Sequence, residues 1–207
     1  MSAKRPLLVG LTGSIGMGKT ETARMFAELG IPVFDADGVV HRLYARGGAA
    51  VAPLENLFPE CVVSGQVDRA CLSRKLRDDP GALAQLESVV HPLVLREERA
   101  FTASAAADGA DFIVLDIPLL FETEADTRMD AIVVVTAPRD MQRTRVLSRP
   151  GMSEVLLDQI FARQMPDVDK RRSADFIVET DKGLGNAREQ VKRIVAILRA
   201  RVREENA

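Results

Sequence analysis

Between Gly13 and Thr20 the chain reads Gly-Ser-Ile-Gly-Met-Gly-Lys-Thr, which fits the pattern G-x-x-x-x-G-K-[ST]. The chemistry open to that octet is phosphate binding. Glycines let successive backbone N–H groups converge on phosphate oxygens with no Cβ in the way. A helix starting near Gly18 adds the positive end of its dipole. Lys19 is long enough to reach the β- and γ-phosphates, and the Thr20 hydroxyl suits Mg²⁺. Gly13, Ser14, Ile15, Gly16, Met17, Gly18, Lys19, Thr20 and the adjoining Glu21 are the expected nucleotide-binding residues.

What happens to the nucleotide depends on other groups. A GTP-dependent switch calls for an Asn-Lys-x-Asp base reader, and the sequence has none. Asp35 to Gly38 spells the switch motif Asp-x-x-Gly, but nothing else supports that reading. An ATPase motor commonly shows four apolar residues followed by paired acidic ones, whereas "FIVLDIP" carries the single Asp116. A kinase needs a carboxylate near the acceptor hydroxyl and a mobile, arginine-bearing lid. Asp35 and Asp37 stand where a second strand ends, and ligands of parallel α/β sheets bind at such ends. Asp37 is equally suited to capping the helix that follows, and spacing alone leaves the choice open. The window 139–172 carries eight basic and five acidic residues, Arg145 and Arg149 among them. It is the expected lid, although most of its arginines fit a solvated helix face as well.

These residues must be held by surrounding elements. Leu7–Leu11, Ile31–Asp35, Phe112–Ile117, Ala131–Ala137 and Asp175–Glu179 are almost continuously apolar, as strands covered on both faces tend to be. Ala23, Phe26 and Ala27 recur at helical spacing, and Gly30 is placed to stop that helix. Ala187, Val191, Ile194, Val195, Leu198 and Val202 form one apolar stripe near the C-terminus. The alternation predicts a three-layer α/β fold around a parallel sheet. The rhythm breaks over residues 41–111, where amphipathic segments replace strands. This stretch is expected to be a helical insertion, with one helix restarting after Pro92.

With 46% hydrophobic and 28% charged residues in 207, the chain can bury a sizeable core. A net charge of −2 and 4% aromatics argue against a general nucleic-acid binder. Lys4 and Arg5 precede an apolar stretch in the manner of a signal peptide, but that stretch is short and runs into glycines. No run reaches the roughly 18 apolar residues of a membrane span. A soluble, cytoplasmic protein without membrane or nucleic-acid partners is expected, with Cys61 and Cys71 as reduced thiols.

Taken in order, "GLTGSIGMGKT", "LGIPVFDADGVVHRL", "QVDRACL", "LESVVHPLV", "VLDIPLLFE", "RVLSRPGMS", "ARQMP" and "DKRRSADFIVET" resemble the dephospho-CoA kinase family over nearly the whole chain. The resemblance implies a three-layer, nucleoside-kinase-like P-loop fold over residues 1–207, with 41–111 as the substrate-binding insertion and 139–172 as the lid. It implies ATP-dependent phosphorylation of the ribose 3′-hydroxyl of dephospho-CoA, with Mg²⁺, by a monomer or weak homo-oligomer. Asp37 matches the family's proposed catalytic base. Lys19 belongs to the matching ATP loop, and Arg149 and Arg145 fall on lid arginines. Thr20 is the Mg²⁺ residue of the loop and Asp116 a partner of the Mg²⁺ through its outer sphere or a water, while His91 reads as a structural residue fixing a helix start. The sequence departs from the usual pattern at Ser14, Glu21 and Thr180. Another small-metabolite kinase, or a nucleotide-binding regulator without an acceptor, stays open.

Overall fold

The computed structural model describes residues 5–204, which fall into two compact units, 5–34 with 104–204 and 35–103. In the first unit, strand β1 (Leu7–Thr12) leads through the glycine-rich loop into helix α1 (Lys19–Glu28). Strand β2 (Val33–Asp35) then runs into helix α2 (Ala36–Tyr44) of the second unit.

The second unit continues with α3 (Val51–Leu57), a two-stranded antiparallel ribbon of β3 (Val62–Val63) and β4 (Gln66–Val67), and α4 (Arg69–Asp78). Helix α5 (Ala82–Ala107) follows and carries the chain back to the first unit. That helix is continuous, with Pro92 in its interior rather than at a restart. Proline gives up one backbone donor inside a helix, and the ten helical residues before it and fifteen after it outweigh that loss. His91 therefore lies mid-helix and fixes no helix start. The cysteines also differ from expectation. The ribbon brings Cys61 and Cys71 to a Cα–Cα distance of 5.3 Å, and they form a disulfide. Composition and compartment argued for thiols; local chain reversal brings the pair within bonding reach.

Back in the first unit come β5 (Phe112–Asp116), β6 (Ala131–Thr136), α6 (Arg139–Leu147), α7 (Glu154–Arg163), α8 (Asp167–Arg172), β7 (Phe176–Glu179) and α9 (Gly183–Glu204). The five long strands form one sheet in the order β2-β5-β1-β6-β7. Strand β1 pairs in parallel with β5 on one side and β6 on the other. The chain crosses first toward β2 and later toward β7, so the order reverses at β1. The crevice beyond the carboxyl end of β1 is where such sheets bind ligands.

Both faces of the sheet are covered, which explains the unbroken apolar runs. Val133 and Val135 join β1, α1 and α9 in one buried cluster, while Ile132 and Val134 face Leu120, Phe121 and Ala125 in another. All six residues of the predicted stripe on α9 are buried. Helix α1 stops as Gly30 turns to φ 77° and donates to the Ala27 carbonyl. Among the described residues, no helix is long and apolar enough to cross a membrane.

Candidate active site

The loop between β1 and α1 is shaped by its glycines. Gly16 and Gly18 take φ of 80° and 97°, a region that L-residues with side chains rarely enter. A Cβ on Gly16 would stand 2.5 Å from Val146 Cγ2, so sterics as well as dihedral angle exclude other residues there. Ser14 is not among the positive-φ residues, and its small, buried side chain is accommodated where a glycine is usual. Gly18 caps α1, whose first residues are Lys19 and Thr20.

Side chains from distant parts of the unit hold this loop. The Gln142 amide on α6 donates to the Ile15 carbonyl at 2.8 Å, and Gln164 Oε1 accepts from the Ile15 N–H at 3.2 Å. The Ala137 N–H donates to Met17 Sδ at 3.1 Å. The Thr180 hydroxyl, just past β7, donates to the Met17 carbonyl at 2.8 Å. Arg145 then donates to Thr180 twice, to its hydroxyl and to its carbonyl, each at 2.8 Å. Arg145 also lies 3.4 Å from the Gly16 carbonyl. Its guanidinium is thus held beside the loop.

The charged groups converge at the strand ends. Lys19 Nζ sits 2.5 Å from Asp116 Oδ1, with both side chains largely buried. Beyond Asp116, Glu122 accepts from the Met165 N–H at 2.8 Å, and the same oxygen lies 2.8 Å from the fully buried Lys170 Nζ. Burial raises the Glu122 pKa, but the hydrogen bonds from Lys170 and Met165 outweigh it and hold the carboxyl below its ordinary value. Glu21 pairs with Arg24 and also lines the cavity beside the loop. A cavity of 320 Å³ opens beside Gly16 and Gly18, with Met25, Leu184 and Ala187 supplying apolar walls and Arg149 at its border. Arg149 is exposed, unlike the pinned Arg145.

In the second unit, the N-cap of α2 is Asp35, whose Oδ1 accepts from the Gly38 N–H at 2.9 Å. Asp37 is consequently not the cap. It lies exposed in the first turn, and its carboxylate is free of the role that competed with chemistry. His41 is one turn further along the same face, where Arg69 of α4 hydrogen bonds to its ring. Burial pushes the nearby Tyr44 phenol up, partly offset by the Arg69 charge.

The model of the dephospho-CoA kinase family matches residues 7–186. The chain belongs to the dephospho-CoA kinase family. It is 54% identical to the dephospho-CoA kinase of Rhizobium meliloti over 94% of this chain and 99% of that protein. A solved protein of Thermus thermophilus is 35% identical, with a TM-score of 0.79 over 94% of this chain and 99% of that one. The dephospho-CoA kinase of Campylobacter jejuni, at 18% identity and TM-score 0.64, shares the fold over 94% of this chain and 98% of its own. The family's activity is the kinase step that ends coenzyme A biosynthesis.

In this member of the dephospho-CoA kinase family, several residues that hold the site carry no motif that marks them. Gln142, Gln164, Glu122 and Lys170 belong to no motif of their own, although Gln164, Glu122 and Lys170 sit inside the quoted blocks "ARQMP", "VLDIPLLFE" and "DKRRSADFIVET". Glu122 and Gln164 stand out as polar residues in apolar or proline-bearing segments, whereas Gln142 and Lys170 lie among other polar and charged residues and carry no such signal. Their partners were not visible, because each lies on another element.

Proposed function

We propose that the protein transfers the γ-phosphoryl group of ATP to the ribose 3′-hydroxyl of dephospho-CoA, giving coenzyme A and ADP. The observation that carries this reading is the loop Gly13–Thr20, held open by left-handed Gly16 and Gly18, with Lys19 and Asp116 at its mouth. Its N–H groups grip the triphosphate, and Lys19 turns toward the β- and γ-phosphates. The adenosine end takes the neighbouring cavity against Met25, Leu184 and Ala187. Exposed Arg149 meets the charge on the transferring phosphoryl group, while Arg145 backs the loop. Asp37 accepts the hydrogen bond of the 3′-hydroxyl and orients it for in-line attack.

Thr20 and Asp116 fit a magnesium ion: a hydroxyl exposed at the start of α1 and a carboxylate at the end of β5 are hard oxygen donors. Bound there, the ion neutralises charge on the β- and γ-phosphates. The remaining work belongs to the chain, since positioning and charge stabilisation dominate phosphoryl transfer. We assign residues 41–111 to the acceptor and 139–172 to the lid, in a cytoplasmic monomer or weak homo-oligomer. No nucleic-acid or membrane partner enters the reaction.

The test is direct. The pure protein is incubated with ATP, Mg²⁺ and a panel of acceptors including dephospho-CoA, and ADP and phosphorylated acceptor are quantified. ADP formed in step with coenzyme A supports the reading. Phosphorylation of another metabolite alone, or nucleotide binding without transfer, would sink it.

A further inference from the structure

The loop residue Ile15 has both of its peptide groups held by glutamines, Gln142 and Gln164. A trans peptide is planar, with its C=O and N–H pointing in opposite directions. The Ile15 carbonyl and the Gly16 N–H share one such plane. By drawing the carbonyl toward itself at 2.8 Å, Gln142 aims the Gly16 N–H the opposite way. The Ser14 carbonyl and the Ile15 N–H share the preceding plane. Gln164 takes that N–H at 3.2 Å, leaving the Ser14 carbonyl turned to accept from Met17 at 3.2 Å. The two amides thus fix successive peptide planes at the point where the loop enters its left-handed glycine.

Each glutamine is itself braced. Gln142 is only 4% exposed, packed on α6. Gln164 precedes Met165, whose N–H is tied to Glu122, and the same carboxylate pairs with fully buried Lys170. Two residues after Met165, Asp167 accepts from the Thr136 hydroxyl at 2.7 Å. The strap from Gln164 to Lys170 is therefore anchored to the loop after β5 and to the end of β6. Gln142 and Gln164 also stand near the two ends of the arginine-bearing stretch that holds Arg145 and Arg149.

We infer that Gln142 and Gln164 are positioning residues for the nucleotide's phosphates. They set the direction of the loop N–H groups, and the Glu122–Lys170 pair holds Gln164 at its station. This inference rests on the assignment of the loop to a triphosphate. Neither glutamine touches a reacting atom; each acts through the Ile15 backbone. A further consequence is that phosphate grip and acceptor grip are separable, because the clamp involves the phosphate loop alone.

The test compares the parent protein with Gln164→Leu and with the double variant Glu122→Gln/Lys170→Met, which removes the buried pair without stranding a single charge. Affinities for ATP, inorganic tripolyphosphate and adenosine are measured by calorimetry, and KM for dephospho-CoA is measured separately. Losing the hydrogen bond from the Ile15 N–H in Gln164→Leu is expected to weaken ATP and tripolyphosphate by about tenfold. Adenosine affinity, KM for dephospho-CoA and Tm should stay close to the parent. The double variant should show the same phosphate-selective loss, smaller in size. Equal loss for adenosine and tripolyphosphate, or unchanged tripolyphosphate affinity in Gln164→Leu, would overturn the inference while leaving the loop assignment standing. A parent protein that does not bind tripolyphosphate overturns both.

Discussion

Lys19 Nζ lies 2.5 Å from Asp116 Oδ1, joining the first residue of α1 to the last residue of β5. The pair bridges two neighbouring strand ends, so the cation is kept at the loop mouth instead of wandering into solvent. Lys19→Ala removes the only flexible cation of the phosphate octet. Steady-state assays should show kcat/KM lowered by about 10²–10³-fold, the usual cost of one preorganised charge contact. Activity within a few-fold of the parent would remove Lys19 from the chemistry.

Asp37 sits in the first turn of α2 with the capping role already filled by Asp35. Asp37→Asn should therefore leave the helix intact and lower kcat by about 10²-fold or more. ATP affinity, read by calorimetry, should remain near the parent value. A variant with normal turnover would show that another group orients the acceptor.

Arg149 is exposed at the cavity border, in contrast to Arg145. Arg149→Ala should reduce kcat by roughly 10²-fold through lost phosphoryl stabilisation, with Tm unchanged because an exposed side chain supports little packing. Loss of fold instead of rate would contradict this assignment.

Thr180 links three segments: its hydroxyl donates to the Met17 carbonyl and accepts from Arg145, and its carbonyl accepts from Arg145 again. Thr180→Val keeps the shape but strands buried polar partners, at about 1–3 kcal/mol. Thermal melts should fall by about 2–4 °C per kcal/mol for a chain of this size. Thr180→Ser should retain the hydroxyl network and melt near the parent.

Glu122 has a folded pKa held below the ordinary 4.5 by Lys170 and the Met165 N–H, despite its burial. A carboxyl depressed on folding contributes stability that is fully present above the unfolded value and lost as pH falls through the folded one. Melting temperature should therefore decline on acidification from about pH 5 downward, and Glu122→Gln should flatten that decline. An acid limb identical in parent and variant would show that other carboxylates set it.

Much of the scaffold could be read directly. Both faces of the sheet are buried, so β1, β5 and β6 are unbroken apolar runs that need no partner to be recognised. The stripe on α9 likewise follows from helical period alone. Pro92 misled, because proline marks a boundary only when the flanking turns are too short to carry it, and α5 spans 26 residues. Cys61 and Cys71 misled because compartment statistics carry no information about a local ribbon.

By itself, the sequence determined that a phosphate loop exists at residues 13–20, which strand and helix flank it, and which family its blocks resemble. Those properties are local, written in spacings of a few residues. Tertiary structure alone decided how the loop is held. Ile15 meets Gln164 across 149 positions, and Met17 meets Thr180 across 163. Contacts that long leave no periodic trace in the chain, since they arise only when crossovers lay distant strand ends side by side.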